Sequence, residues 1–483
     1  MKTRIQILFA SLFLVSSGLY AQSNFRTGYF MDGYLYRHTM NPAFYANKGY
    51  ASLGVGNFSL NTQSNLGVST FFYPTSGGNM DFFLSDNVSS STFLGKIHQN
   101  NIENVSLGED ILSFGFWTKK KNFHSFSASL QVMESVAAPY DVFRFLKEGT
   151  TNGTGYDLSG FGGRMRTYAQ IAYGMSVPVN DNIRVGAKVK GLVGLIYLDT
   201  KFNKFDVTLS GERWSVSTDG ELLASNVPAT QTSGSVPLSD VFDLDNMDLD
   251  NIRPSGFGAA VDLGVDWQAL PWLDVSASIV DLGFLHWSLD TRMSTNGSWE
   301  YTGFDEIDPM GEGTYQDQLD AKLDELENLV EFHSSDAGSP MDFLPATVYV
   351  GAKASPCSWF SAGLLGTARL EGKYSWAELR ASANIEPKHW FGVTASAAYG
   401  SFGPKIGGAL NLRLPILALF IGGELSSFHF VSDNPNGSNK IGDIINGDVT
   451  VVPRDNLNLN LVVGLNVVFG KTASKRLSGS KSI

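Results

Sequence analysis

Cysteine is all but absent. Cys357 is the single one among 483 residues, so the chain has no internal disulfide and its fold must stand without covalent staples. Charge is scarce as well: Asp, Glu, Lys and Arg make up 17% of the residues, against about 25% in ordinary soluble proteins. What charge there is leans acidic, to a net −12, which disfavours nucleic acid as a partner, because phosphate binding needs a basic face. Long apolar runs are missing beyond the first 21 residues. The longest candidate, 412–423, is interrupted by Arg413 and Pro415, whereas a spanning helix needs about 20 apolar residues. Catalytic signatures are missing too: there is no Gly-x-Ser-x-Gly, no His-Glu-x-x-His and no Cys pair. The seven histidines (38, 98, 124, 286, 333, 389 and 429) have no metal-ligand spacing. No enzyme, catalytic residue, cofactor or metal is expected.

What is present points to export. Lys2 and Arg4, an apolar stretch from Ile5 to Val15, and small residues before Ala21 form the three parts of a secretory signal. Residues 1–21 read as a leader cut between Ala21 and Gln22, and no Cys follows to take a lipid anchor. The mature chain is rich in glycine (51 in all) and aromatics (12%). An exported chain with few charges and no spanning helix has one way to sit in a membrane, a closed β-barrel.

Alternation supports this, because successive side chains of a strand face opposite ways. In 456–469 (NLNLNLVVGLNVVF) every odd position is apolar, and Asn456, Asn458, Asn460 and Asn466 hold even ones. From Ile183, one face carries Val185, Ala187, Val189 and Val193, and the other Arg184, Lys188 and Lys190. Arg166 and Gln170 oppose Ile171, Tyr173 and Met175; Glu378 and Arg380 oppose Leu379 and Ala381; Lys405 and Arg413 oppose Ile406 and Leu412. Segments of about 10–14 residues suit tilted membrane strands and exceed the usual strand of globular proteins.

Connections alternate between tight turns (178–182, 268–271, 386–388 and 414–415) and long excursions (roughly 74–110, 134–164, 225–255, 282–345 and 426–455). That asymmetry is expected of outer-membrane barrels, with long loops outside and short turns in the periplasm. Trp267 and Trp272 flank one tight turn, where an interfacial aromatic girdle would lie. The expected fold is all-β: a transmembrane antiparallel barrel of 14–16 strands. Its expected divisions are a leader at 1–21, an irregular aromatic-rich segment at 22–64, the barrel at 65–469 and a basic periplasmic tail at 470–483.

The irregular segment carries a family resemblance. RTGYFMDGYLYRHTMNPAF (26–44), followed by GYASLGVG (49–56), resembles the start of an uncharacterised family of Bacteroidetes-type outer-membrane barrels. That family is distantly similar to the FadL-like and PorV-like barrels. The resemblance implies that 22–64 folds into the barrel as a hatch, with Asn41, Pro42, Ala43 and Phe44 as hatch residues. It also implies either passage of apolar or amphipathic small molecules or, in the PorV-like branch, a docking platform for a surface or secretion complex. A structural barrel with a plugged lumen is the further alternative. Read locally, Asn41-Pro42 could cap a helix, which a hatch could also contain. The last strand resembles an assembly signal in placing Gly464, Val467 and Phe469 at Gly-x-x-apolar-x-aromatic spacing, and departs from it because 470–483 follow the aromatic.

The residues themselves leave several roles open. Arg166, Arg184, Lys188, Lys190, Glu378, Arg380, Lys405 and Arg413 are lumen-lining candidates, either along a solute path or paired to plug the interior. Five aspartates within 239–251 read as a solvated external loop before a metal site, for want of the glycine and distal glutamate of a calcium loop. Leu319, Leu323, Leu326 and Val330 form an apolar helical stripe in 315–332, suited to a cap over the mouth or a partner-binding helix. The glycines at 153, 155, 160, 162 and 163 lack the strand–loop–helix context of a phosphate cradle and read as a loop. Outer-membrane lipid, a hydrophobic ligand and a protein partner through the external loops are the expected partners.

Overall fold

The computed structural model describes residues 25–470, apart from 55, 75–79, 150–153, 211–212, 228–234, 238–251, 302–330, 335–337, 389, 427–429, 433–450 and 454–455. Fourteen strands form one closed antiparallel wall. In chain order the staves are β1 (Gly49–Leu53 continued by Phe58–Gly67), β2 (Asn100–Trp117), β3 (Phe123–Pro139), β4 (Gly162–Pro178) and β5 (Ile183–Ser210). Then come β6 (Gly256–Leu270), β7 (Leu273–Trp287), β8 (Ala346–Cys357), β9 (Phe360–Leu370) and β10 (Trp376–Lys388). The wall ends with β11 (Phe391–Gly400), β12 (Gly403–Arg413), β13 (Leu417–Leu425) and β14 (Asn456–Phe469). Each stave pairs with the next, and β1 closes the ring on β14 through Gly49↔Phe469 and Phe58↔Val463. This is the architecture of an outer-membrane barrel, in which no strand edge is left open to lipid. No described helix is long and apolar enough to cross a membrane.

Alternation sets which way each stave faces. Leu465 and Val467 are each 53% exposed on the outside, while Asn466 between them is 1% exposed within. Ile171, Val189, Leu379 and Ile406 face outward like them, and Arg166, Lys190, Arg380 and Lys405 inward. Trp267 and Trp272 are both about half exposed beside the β6–β7 turn, where an interfacial belt belongs.

The connections separate by end. Those after the even-numbered staves β2 to β12 take two to five residues. At the other end, long connections cover 68–99, 140–161, 211–255, 288–345 and 426–455, while the joins after β9 and β11 are short. The first long connection therefore ends at 99 and not near 110, because Asn100–Trp117 is already stave.

The strand number stands at the low end of the expected range. Strands 213–225 and 291–301 have stave length but lie outside the ring. β5 runs on for 28 residues, and its far end pairs with 213–225, which pairs with 291–301. The wall also begins earlier than residue 65: β1 starts at Gly49, so the irregular segment ends at 48. β1 is interrupted between Leu53 and Phe58, and Gly54 adopts a φ of +81° there, a conformation that glycine takes at little cost. The leader, the tail beyond 470, the acidic stretch 239–251 and residues 315–330 lie outside the described residues. Of the expected helix, Glu331 and Phe332 open a short strand (Glu331–Ser334).

Residues 25–48 lie inside the wall. Where they press against it, the wall has glycine: a Cβ on Gly186 would strike the Pro42 carbonyl, and one on Gly264 would strike Asn41. Gly191, on the outer face of the same stave as Gly186, has open space around it. Gly186→Val is expected to lower the urea midpoint of the refolded barrel, with an overpacking cost of about 1–3 kcal/mol. Gly191→Val is expected to leave it in place. Tryptophan-fluorescence unfolding of the two variants checks the difference.

Candidate functional site

The inner segment is built from short-range turns. Two 3-10 turns, Arg26–Gly28 and Leu35–Thr39, fold it back on itself, and both are buried. Asn41 does not cap a helix. Its Oδ1 accepts from Ala43 N at 3.0 Å, and Phe44 N donates to Asn41 O at 2.9 Å, which makes an Asx-type turn. The helix-cap reading fails because no helix follows: residues 42–48 are turns and irregular backbone, and the Asn41 Nδ2 donates to Val265 O at 3.2 Å and Ala277 O at 3.4 Å on β6 and β7.

The aromatics of the segment form the core of the lower lumen. Phe25, Tyr29, Phe30, Tyr34, Tyr36 and Phe44 cluster with Tyr50, Phe123, Tyr349 and Phe420 from the wall. Tyr29 sits edge-on to Phe30 and Phe44 at 4.8 and 5.0 Å, and Tyr34 edge-on to Phe420 at 5.0 Å. Polar contacts fix the rest. Thr27 N donates to Glu424 at 3.0 Å, Gly33 N to Glu386 at 2.9 Å, and Ser278 Oγ to Met40 O at 2.7 Å. Tyr36 OH meets Ser113 Oγ and Asn466 Oδ1 at 2.7 Å each, spanning β2 and β14. Ser176 Oγ donates to Ala43 O at 2.6 Å, and Lys353 Nζ to Asp32 at 2.9 Å. Phe30 packs on Gly351 and Gly363, Thr27 on Gly407, and Phe25 on Gly422. With His38 against Tyr50 and Phe123, the segment touches every one of the fourteen staves.

The charged lumen candidates gather into groups across the interior, together with partners the sequence reading did not single out. Arg380 binds Glu378 at 2.7 Å and Glu424 at 2.8 Å; Lys405 and Arg26 complete that group on Glu378 at 3.0 and 3.3 Å. Lys190 lies 2.7 Å from Asp262 and 2.5 Å from Asp281. Toward the long connections, Arg166 bridges Asp342 at 2.5 Å and Glu371 at 2.6 Å, and Arg369 also binds Glu371. Burial works to raise the pKa of Glu371, but Arg369 and Arg166 outweigh it and hold the carboxyl below its usual value. Arg413 binds Glu386 at 3.0 Å. Arg184 donates to Ser176 and to Lys121 O, and its guanidinium lies 4.8 Å from the Tyr45 ring.

Lys188 is different. It is buried, has no ion pair within 4 Å among the described residues, and lines a polar cavity of about 30 Å³ with Thr39, Asp110 and Gln131, room for about one water. A second interior cavity, beside Arg26 and Trp376, is the same size. A larger one of about 360 Å³ opens at the short-turn end between the segment and β6–β10. Asp32, Asp262, Asp281, Asp342, Lys353, Glu371, Glu386 and Glu424 were legible only as charges. Most of those on the staves share the inward parity of their strands, and that was the available signal; Asp281 does not, because it turns inward directly after Val280 at a break in β7 where its φ is 62°.

Over the opposite end sits an apolar cap. Helix 140–148, the short helix 90–94 and the outer reach of β5 bring Phe93, Phe143, Leu146, Phe161, Phe202 and Phe205 into one core with Phe83 and Phe332. Among the described residues no three of His, Cys, Asp and Glu converge as metal ligands. Gly155 lies in a short strand and Gly162 and Gly163 open β4, so these glycines serve the sheet.

Residues 42–423 match the model of the family of unknown function DUF5723, and the chain belongs to that family. Curated proteins provide no match. Among solved structures the fold is similar to the Ralstonia pickettii toluene transporter TbuX (10% identity, 90% of this chain and 94% of that one, TM-score 0.41). It is similar as well to a Pseudomonas aeruginosa FadL homologue (11%, 93% and 99%, 0.43) and to the P. putida toluene transporter TodX (8%, 89% and 92%, 0.39).

His38 gives the segment a pH dependence. Burial, reinforced by the nearby charges of Lys188 and Arg37, pushes its pKa well below the usual value, so the folded barrel holds it neutral. The unfolded chain binds the extra proton below pH about 6.5, and stability falls from there as pH drops, by up to about 1.4 kcal/mol per unit. Urea midpoints measured between pH 7.5 and 5 are expected to fall in the wild type, with a shallower fall in His38→Gln.

Proposed function

We propose that this family member resides in the outer membrane, after loss of its leader, and binds and passes an apolar or amphipathic small molecule without covalent chemistry. The observation that carries this reading is the contrast along the axis. An apolar phenylalanine-rich core covers the mouth, directly above an interior lined by paired charges and closed by residues 25–48. An apolar solute partitions into the cap and not into the ion-paired lumen, since moving it past buried charges displaces none of their partners usefully. The described conformation is therefore the closed one, and Asn41, Pro42, Ala43 and Phe44 belong to the hatch whose displacement opens it. The resemblance of the 26–44 motif to FadL-like barrels points the same way.

A docking platform for a surface or secretion complex is the second reading. The observation favouring it is the sheet of β5, 213–225 and 291–301, which stands clear of the ring. Affinity capture from detergent extracts distinguishes the two, since a stable stoichiometric protein partner supports the platform.

Deleting residues 24–48 tests the hatch. In proteoliposomes the deletion variant is expected to admit small solutes that the full chain excludes, with both proteins confirmed as folded by their heat-modifiable gel mobility. A folded deletion variant that stays closed would remove the gating role. For the cap, Phe143→Asp is expected to weaken binding of an apolar fluorescent probe such as phenylnaphthylamine by at least about tenfold, the equivalent of roughly 1.4 kcal/mol. Unchanged probe affinity in that variant counts against the mouth as the binding site.

A further inference from the structure

The short-turn rim is strongly asymmetric in charge. The β2–β3 connection carries Lys119, Lys120 and Lys121 in succession, all exposed. Around the ring, β1 and β14 separate this turn from the β12–β13 turn, and Lys48 reaches across to donate to Pro415 O at 3.5 Å. From Pro415 through Lys48 to Asn122 the rim connections hold no acid, and the next turn on contributes Asp181 alone.

The lysine turn is built and not loose. Thr118 N donates to Asn122 O at 2.9 Å and Lys121 N to Thr118 O at 3.0 Å. Lys121 takes a left-handed φ of 61°. Its carbonyl accepts from the buried guanidinium of Arg184 at 3.3 Å, which ties the turn to the wall beneath the hatch. The outer face just before the turn is aromatic. Phe116, 40% exposed, stacks on His124 at 5.1 Å, and His124 Nδ1 lies 2.7 Å from the hydroxyl of Tyr173, itself 47% exposed. Outward aromatics at the end of a membrane strand mark the boundary between acyl chains and headgroups. Three residues beyond Phe116, Lys119 and its neighbours are at headgroup depth.

We propose that this basic sector binds the phosphate headgroups of anionic phospholipid in the leaflet that the short turns meet. Several lysines fixed at headgroup level collect anionic lipid through local potential, in the manner of a juxtamembrane polybasic segment, and the attraction weakens with salt. The sector needs no ligand in the lumen, so it stands apart from the transport reading.

Native mass spectrometry of the full chain, released from mixed micelles holding equal phosphatidylglycerol and phosphatidylcholine, reads the preference directly. The wild type is expected to retain about fivefold more phosphatidylglycerol, the factor matching about 1 kcal/mol, with the excess reduced in about 0.5 M salt, where the screening length falls to roughly 4 Å. The Lys119→Gln, Lys120→Gln, Lys121→Gln triple variant is expected to lose the excess while keeping its folded gel mobility. Equal retention of the two lipids by the wild type overturns the proposal, as does an undiminished excess in the triple variant. Sedimentation with isolated peptidoglycan that the triple variant abolishes, without any lipid preference, overturns it in favour of an acidic polymer.

Discussion

The structure depends on one steric exchange: at the short-turn half of the barrel, the wall gives up side chains and the inner segment supplies them. Gly186, Gly264, Gly351, Gly363, Gly407 and Gly422 leave depressions in the inner face, and Pro42, Asn41, Phe30, Thr27 and Phe25 fill them. Neither half of this arrangement is well packed without the other. A ring this wide would otherwise enclose empty or watery space, and close packing is what makes an interior stable. The aromatic content of residues 25–48 follows from this, since a few large rings fill such a space with little chain.

The ion pairs work alongside the packing and are a different kind of constraint. Taking charges out of water costs several kcal/mol per ion, and their attraction offsets this only when geometry and hydrogen bonding are good. Here most partners lie far apart in sequence: Arg166 meets Asp342 and Glu371, Lys190 meets Asp281, and Arg380 meets Glu424. Such pairs do little to favour folding over unfolding. Their effect is to penalise any other register, because a slipped stave would leave a buried charge alone. Arg26 ties the inner segment into the same scheme through Glu378.

Much of the wall was legible in advance. The parity of Leu459, Leu461 and Leu465 against Asn458, Asn460 and Asn466 defined a stave and its inward face, and the same logic placed Arg166, Lys190, Glu378, Arg380 and Lys405 inside. What parity does not contain is partnership. Asp262 and Asp281 meet Lys190 because the pairing of β6 with β7 shifts register between Val261 and Leu263, and a single strand carries no record of that. The beginning of the wall was misplaced for a related reason. Gly49–Leu53 is too short to alternate visibly, and the break at Gly54 hides its continuity with Phe58–Gly67. Strand 213–225 was indistinguishable from a stave because a sheet outside the ring alternates just as a barrel does, whereas 291–301 fell within the long connection expected over 282–345. The Asn41-Pro42 pair was legible only in part: its oxygen makes the local turn that such a pair suggests, but its NH2 donates to carbonyls more than two hundred residues away, and no local pattern records that.

The segment is joined to the wall at Gly49, on the short-turn rim, while Arg26 lies deep in the lumen among Glu378 and Glu424. The two ends of the segment are therefore held by different forces. Pro42 and Asn41 are held by shape, against Gly186 and Gly264, and Arg26 by charge, against Glu378 and Glu424. A side chain added to the wall disturbs the first end and a charge removed from it disturbs the second, so the two anchorages can be weakened one at a time.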